Sequence, residues 1–141
     1  MKVISFALFL LSVAVLTSCD MRRTELLLTM SAEGDSCPKP AGRGMTQTKA
    51  ELNDTCVLFV VEYDEEMYPT SQFEHYAKEI RSQLIDHINV RNLDCRTPLH
   101  AIADNAKHCQ IPLVWIYESN ATHKQTIVRV APEQICGNIL K

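Results

Sequence analysis

An apolar run that stops at Cys19 decides which part of this chain is free to fold. Met1-Lys2 supplies a short positive start, and Val3 to Leu16 is apolar except for Ser5 and Ser12. That run falls short of the roughly 20 apolar residues a membrane-crossing helix needs. It reads instead as the core of an export signal that is removed, so residues 1–18 are expected to be a signal peptide and the fold is sought beyond them.

The residues at the boundary are Leu16-Thr17-Ser18-Cys19. An ordinary signal-peptidase site wants small side chains at −3 and −1, and Leu16 is a poor −3 residue. A branched aliphatic, two small residues and then cysteine resembles the lipobox of bacterial lipoproteins at every position. Cys19 is therefore the expected lipid-attachment residue, its thiol receiving diacylglycerol. One acyl chain binds a membrane marginally, whereas two or three, at roughly 0.8 kcal/mol per buried CH₂, make the anchor effectively permanent. Residues 19–23 then form a lipidated anchor and tether, in which Arg22 and Arg23 add an attraction to anionic headgroups. Asp20 is the residue type that, after the lipidated cysteine, keeps lipoproteins of enteric bacteria in the inner membrane, and the choice of membrane stays open. The alternative at this point is an ordinary secreted protein that keeps a cysteine at position 19.

What remains, residues 24–141, suits one domain with a real core. The formal charge of −3 and the 6 % aromatic content offer neither a basic stripe for phosphates nor rings for stacking on bases, so nucleic acid is not an expected partner.

The chain divides by pattern. Residues 24–32 alternate Leu26, Leu28 and Met30 onto one face and read as a first strand. Residues 33–55 hold three of the four glycines and two of the six prolines, with almost no large apolar side chain, and read as a long flexible loop. Cys56 to Tyr63 is the clearest strand, β-branched and apolar on both faces. Ser71 and Glu74 form a capping-box pair ahead of a helix to about Asn89, whose stripe is Phe73, Tyr76, Ala77, Ile80, Leu84, Ile85 and Ile88. Thr97-Pro98 starts a shorter helix. Ile111–Tyr117 and Gln125–Val130 make a hairpin. The expected fold class is α+β: a small, mostly antiparallel sheet with two helices on one face, tied by disulfides.

Few motifs point to chemistry. Thr97-Pro-Leu-His100 is the local signature of an ankyrin repeat, but no second copy follows, and capping explains it. The five histidines lack zinc-site spacing, so no metal is expected. The acidic cluster of Glu62, Asp64, Glu65 and Glu66 lacks the spacing of a calcium loop and reads as a solvated strand end. There is no glycine-rich phosphate loop, no Gly-x-Ser-x-Gly and no paired-carboxylate motif. Neither an enzymatic activity nor a cofactor is expected. The sequons at Asn53 and Asn120 matter only if the protein is secreted by a eukaryotic cell.

Six cysteines in an exported chain imply disulfides. If Cys19 is lipidated, five remain, giving two bridges and one odd thiol. A Cys95–Cys136 bridge ties the second helix's entrance to the sheet and is worth roughly 3–4 kcal/mol in the chain-entropy model. Cys37–Cys56 pins the flexible segment and leaves Cys109 unpaired. Cys95–Cys109 with Cys56–Cys136 stays equally open.

The C-terminal third resembles the small lipoprotein pilotins of bacterial type II secretion, the AspS-like group. The resemblance rests on Cys95-Arg-Thr-Pro98, on the hairpin from Ile111 to Val130, and on Cys136-Gly137 followed by an aliphatic pair and Lys141. It implies a Cys95–Cys136 bridge, and a role in gripping a helix of an outer-membrane secretin subunit and carrying it to its membrane. Loop 33–55 with Cys37 and Cys56 exceeds that group's pattern.

The functional expectation is a lipid-anchored, periplasm-facing envelope protein that binds another envelope protein, a secretin by the resemblance. A groove beside the Phe73–Ile88 helix is the candidate contact. The competing readings are a phage- or plasmid-borne exclusion or inhibitor lipoprotein, and a eukaryotic secreted glycoprotein with disulfides.

Overall fold

The computed structural model describes residues 20–90 and 97–136. Cys19 and Cys95 lie outside the described residues, and so does Gly137 with the chain end. Helix α1 occupies residues 20–35, followed by β1 (Lys39–Gly42), β2 (Met45–Leu52), β3 (Val57–Tyr63), α2 (Thr70–Ile88), α3 (Pro98–His108), β4 (Leu113–Ser119) and β5 (Gln125–Val130). A 3-10 turn at Pro132–Gln134 closes the described chain.

The five strands form one sheet in sequence order. β1–β2, β2–β3 and β4–β5 pair antiparallel, and β3 pairs parallel with β4 through the α2–α3 crossover. The α+β class and the largely antiparallel pairing stand as expected. Strand β3 explains the layering. Val57, Phe59, Val61 and Tyr63 are buried, whereas Leu58 and Val60 are half-buried and Glu62 is exposed. One face thus carries the core, matched by Leu113, Trp115 and Tyr117 on β4 and by Val128 and Val130 on β5. Burying each large side chain contributes roughly 1.5–3 kcal/mol.

All three helices pack on that face, not two. The residues read as a first strand, 24–32, are helical. Leu26 and Met30, one helical turn apart, are fully buried, while Leu28, which the alternation reading placed beside them, is 67 % exposed. An i, i+2, i+4 set satisfies a strand's period at three positions and a helix's at two, and tertiary packing chose the helix. At its far end α1 presses on β2: a Cβ on Gly34 would fall 2.6 Å from the Ala50 carbonyl oxygen.

Segment 33–55, read as a loop, contains β1 and β2. Gly42 and Gly44 take φ values of 132° and 68°, and the tight turn between the strands depends on that freedom. Strand β2 needs few large apolar residues because only Gln47 and Ala50 face the core fully.

No disulfide ties the described residues; Cys37, Cys56 and Cys136 carry free thiols. The expected Cys37–Cys56 bridge fails on distance. Cys37 lies beside Gln47, its Sγ 3.5 Å from the amide nitrogen. Cys56 precedes Val57, which pairs with Leu52. Those levels are five residues apart along β2, about 17 Å at ~3.4 Å per residue, and bridged Cα atoms sit within about 7 Å. The pairings that involve Cys95 fall outside the described residues.

Candidate binding groove

The stripe of α2 serves two surfaces. Phe73, Ala77 and Ile88 are buried in the core, while Tyr76, Ile80 and Leu84 are only half-buried. A cavity of about 540 Å³ opens against the latter three, between α2 and the β1–β2 turn. Glu79, Gln83 and His87 complete the helix wall, Ala41, Arg43 and Met45 form the opposite wall, and Tyr117 lies at the floor. From Tyr76 to His87 the wall runs about 16 Å at 1.5 Å per residue.

A second, smaller cavity of about 230 Å³ lies between β1 and the start of α3. Lys39, Glu33 and Gln47 line one side, Thr97, Pro98 and Leu99 the other, with Phe59 and Trp115 beneath. Trp115 and Tyr117 are alternate residues on one face of β4, and Lys39 and Ala41 are alternate residues of β1. The two cavities are therefore neighbours on the core face of the sheet and make up a trough in two parts, which meet where His87 Nε2 of the first lies 3.2 Å from Thr97 Oγ1 of the second.

Aromatic rings build the trough. All seven Phe, Tyr and Trp residues beyond Phe9 are packed in it or directly under it. Phe59 stacks on Trp115 with centroids 4.9 Å apart, and Tyr63 stacks on Phe73 at 3.9 Å. Tyr68 meets Tyr76 edge-on at 5.6 Å and closes one end. The Tyr68 hydroxyl donates to the Arg43 carbonyl oxygen at 2.8 Å, tying that end to the β1–β2 turn. Such rings give a rigid apolar surface with polar tips. Burial pushes the Tyr117 phenol up to about 12. The charged lining side chains are Arg43 and Glu79 in the first cavity and the Glu33–Lys39 ion pair in the second.

Two polar clusters hold the helices that form the walls. At the start of α2, Ser71 and Glu74 make no capping box; Pro69 is the N-cap residue and no side chain caps from within the helix. Glu65 does that work from outside. Its carboxylate accepts the Thr70 amide at 2.8 Å, the Thr70 hydroxyl at 2.5 Å and the Ser119 hydroxyl at 2.5 Å. Those hydrogen bonds, led by Ser119, hold the carboxyl below its ordinary range. The acidic cluster is thus partly a cap and not only a solvated strand end. At the start of α3, Thr97 and Pro98 take the expected N-cap and first-turn positions. The partner is His100, whose Nδ1 accepts the Thr97 amide at 2.8 Å.

Among the described residues no cysteine lines the trough, although Cys37 lies beside Gln47. Cys136 is placed by its amide, which donates to Asn89 Oδ1 at 2.8 Å. Among the described residues no group of three or more His, Cys, Asp and Glu side chains is arranged to hold a metal ion. Asn53 and Asn120 both serve turns: Asn53 Oδ1 accepts the Thr55 and Cys56 amides, and Asn120 Oδ1 accepts the Glu65 amide.

Sequence reasoning placed one wall, the α2 stripe, and missed the rest. Tyr68, Trp115 and Tyr117 gave a usable signal, since they are among the few aromatics of the chain and line the two cavities. Arg43, Lys39 and Ala41 gave none, because they sit in the segment read as a loop.

No protein-family model matches this chain, and no curated protein matches it. Among solved structures it is similar to a crystal structure from Pseudomonas aeruginosa of a protein provisionally described as secreted. The TM-score is 0.53 at 12 % identity, covering 80 % of this chain and 95 % of that one. At that identity the likeness shows a shared fold and nothing finer.

Proposed function

We propose that this protein is a lipid-anchored binding module of a bacterial cell envelope, holding an amphipathic helix of another envelope protein in the trough along α2. By the resemblance of its C-terminal third to pilotins, the owner of that helix is a type II secretion secretin. The observation that carries this reading is the trough itself. It has an aromatic floor and a wall of Tyr76, Ile80 and Leu84 at helical spacing, with few charged side chains in its lining. An apolar ridge at i, i+3 or i+4, i+7 fits such a surface. Three Leu-sized anchors supply roughly 5–9 kcal/mol before the costs of ordering and association. That range suits a carrier which must later release what it holds. The lipobox supplies the anchor at Cys19, and the Pseudomonas neighbour's description as secreted agrees with export.

The test is affinity capture from detergent-solubilised membranes, together with palmitate labelling. Recovery of a secretin subunit, lost on Leu84→Asp with the far-UV spectrum unchanged, supports the reading. Capture that returns no secretin ends the pilotin assignment. Palmitate incorporation that survives Cys19→Ala ends the anchor.

A further inference from the structure

The two edges of the sheet differ. Strand β1 is four residues long, carries Pro40, and its pairing with β2 shifts register between Pro40 and Gly42. Short length, proline and a bulge are devices that stop an edge from pairing onward. Strand β5 has none of them: its six residues contain no proline and pair with β4 without a break.

The hairpin determines which groups β5 turns outward. The Ser119 amide donates to the Lys124 carbonyl oxygen at 3.1 Å, and bonded pairs alternate with unbonded ones along an antiparallel ladder. Thr126, Val128 and Val130 therefore bond to β4, while Gln125, Ile127 and Arg129 direct their amides and carbonyls away from the sheet. The Arg129 carbonyl oxygen accordingly accepts Arg81 Nε at 3.0 Å, which leaves its second lone pair. The side chains of these three residues stand on the face that carries no helix. There Ile127, 66 % exposed, is the one large apolar side chain of any described strand to be exposed.

Three rows cross that face in register. Val60, Ile116 and Ile127 form an apolar row that runs out to the β5 edge. Glu62, Glu118 and Gln125 lie on one side of it, and Leu58, Val114 and Arg129 on the other. Among the described residues Glu62, Glu118 and Arg129 make no ion pair.

We propose that β5 pairs antiparallel with β5 of a second copy about a two-fold axis at Ile127, joining the two sheets into one. Ile127 then faces Ile127 of the second copy, and the apolar row continues through both chains. Arg129 stands beside Gln125 of the second copy, with that copy's Glu118 one strand further on. Such apolar and opposite-charge neighbours stabilise strand pairing. The register also speaks for a second copy, because a two-fold contact must match itself. Moving the axis to Thr126 or Val128 sets Ile127 against Gln125 or Arg129 of the other copy. The axis is perpendicular to the sheet, so both helical layers stay on one side, in keeping with two anchors in one membrane. Strand β1, which walls the trough, is at the far edge, so the pairing is independent of what the trough binds.

The experiment is sedimentation equilibrium of the full chain, extracted from membranes into a density-matched detergent, over a series of protein concentrations. The parent is expected to reach twice the mass of one chain. Ile127→Lys and Ile127→Glu are each expected to stay at single-chain mass with the parent's far-UV spectrum. An equal mixture of the two is expected to regain the doubled mass, because opposite charges then meet at the axis. Leu28→Lys, at a position equally exposed on α1, is expected to leave the doubled mass unchanged. A parent of single-chain mass at every concentration overturns the inference, and that measurement needs no variant to fold. Doubled mass that persists in both Ile127 variants, or a mixture that stays at single-chain mass, overturns it too. A single-chain parent that instead binds a strand-forming peptide gives the edge to a different chain, with the same consequence.

Discussion

Glu65 and Ser119, separated by 54 residues, are joined by a 2.5 Å hydrogen bond from the serine hydroxyl to the carboxylate. Ser119 is fully buried, and its oxygen in turn accepts the amides of Ala121 and Thr122. One carboxylate therefore fixes the end of β4, the β4–β5 turn and the first residue of α2. Because these bonds favour the charged form, the folded protein holds the Glu65 carboxyl below its ordinary range. A group depressed in the folded state adds stability above its unfolded value, about 4.3 for glutamate, and loses it as pH falls through the folded value. The Glu65→Gln variant is expected to melt below the parent at pH 7. The gap narrows as pH is lowered below about 4. Thermal melts across pH 7 to 2.5 measure it, and a gap that stays constant with pH contradicts the assigned role.

Tyr117 sits at the floor of the trough with burial raising its phenol to about 12. In an absorbance titration of the folded protein, the last tyrosine step is expected near that value. Tyr117→Phe is expected to remove that step and no other. Loss of an earlier step instead shows that the floor of the trough is open to water.

Leu26 and Leu28 separate the helical reading of α1 from the strand reading. Leu26 is fully buried and Leu28 largely exposed. Leu26→Ala is expected to cost about 2–5 kcal/mol of unfolding free energy, while Leu28→Ala stays within about 0.5 kcal/mol. Urea unfolding of the two variants decides it. Equal losses restore the alternating strand.

What the sequence disclosed follows from the range of the forces involved. Val57 to Tyr63 and the Phe73–Ile88 stripe are legible because a run of seven or more residues carries its own period. Residues 24–32 were misread because Leu26, Leu28 and Met30 satisfy both periods, and only packing against β2 and α3 breaks the tie; Arg22 reaching Asn105 at 3.1 Å is part of that packing. β1 and β2 are invisible locally, since Pro40, Gly42 and a polar outer face disfavour a strand that β3 nonetheless pairs. The helix stripe marked one wall of the trough. Its floor and second wall come from strands brought together only by the sheet order. The Glu65 cap was hidden for the same reason: its partner Ser119 is distant in sequence, while the nearby Ser71–Glu74 pair imitates a box that does not form.

His100 holds the two helices of the crossover together, and its removal tests that most directly. The ring is 1 % exposed. Nδ1 accepts the Thr97 amide at 2.8 Å, so Nε2 carries the proton and donates to the His87 carbonyl oxygen, also at 2.8 Å. The side chain thus caps the start of α3 and satisfies a carbonyl in the last turn of α2, where orphan acceptors otherwise need water or a partner. His100→Ala leaves the Thr97 amide unpaired in a partly buried setting, leaves the His87 carbonyl with the Val90 amide as its remaining donor, and opens a cavity. A loss of about 3 kcal/mol is expected from those contributions. Because His87 also lines the trough, the same substitution is expected to weaken binding of a helical ligand beyond what unfolding explains. Measured below the melting temperature, with Trp115 emission as the reporter, binding to His100→Ala should fall while binding to Leu28→Ala does not. Unchanged affinity in the His100→Ala variant means that the α2–α3 junction does not shape the trough.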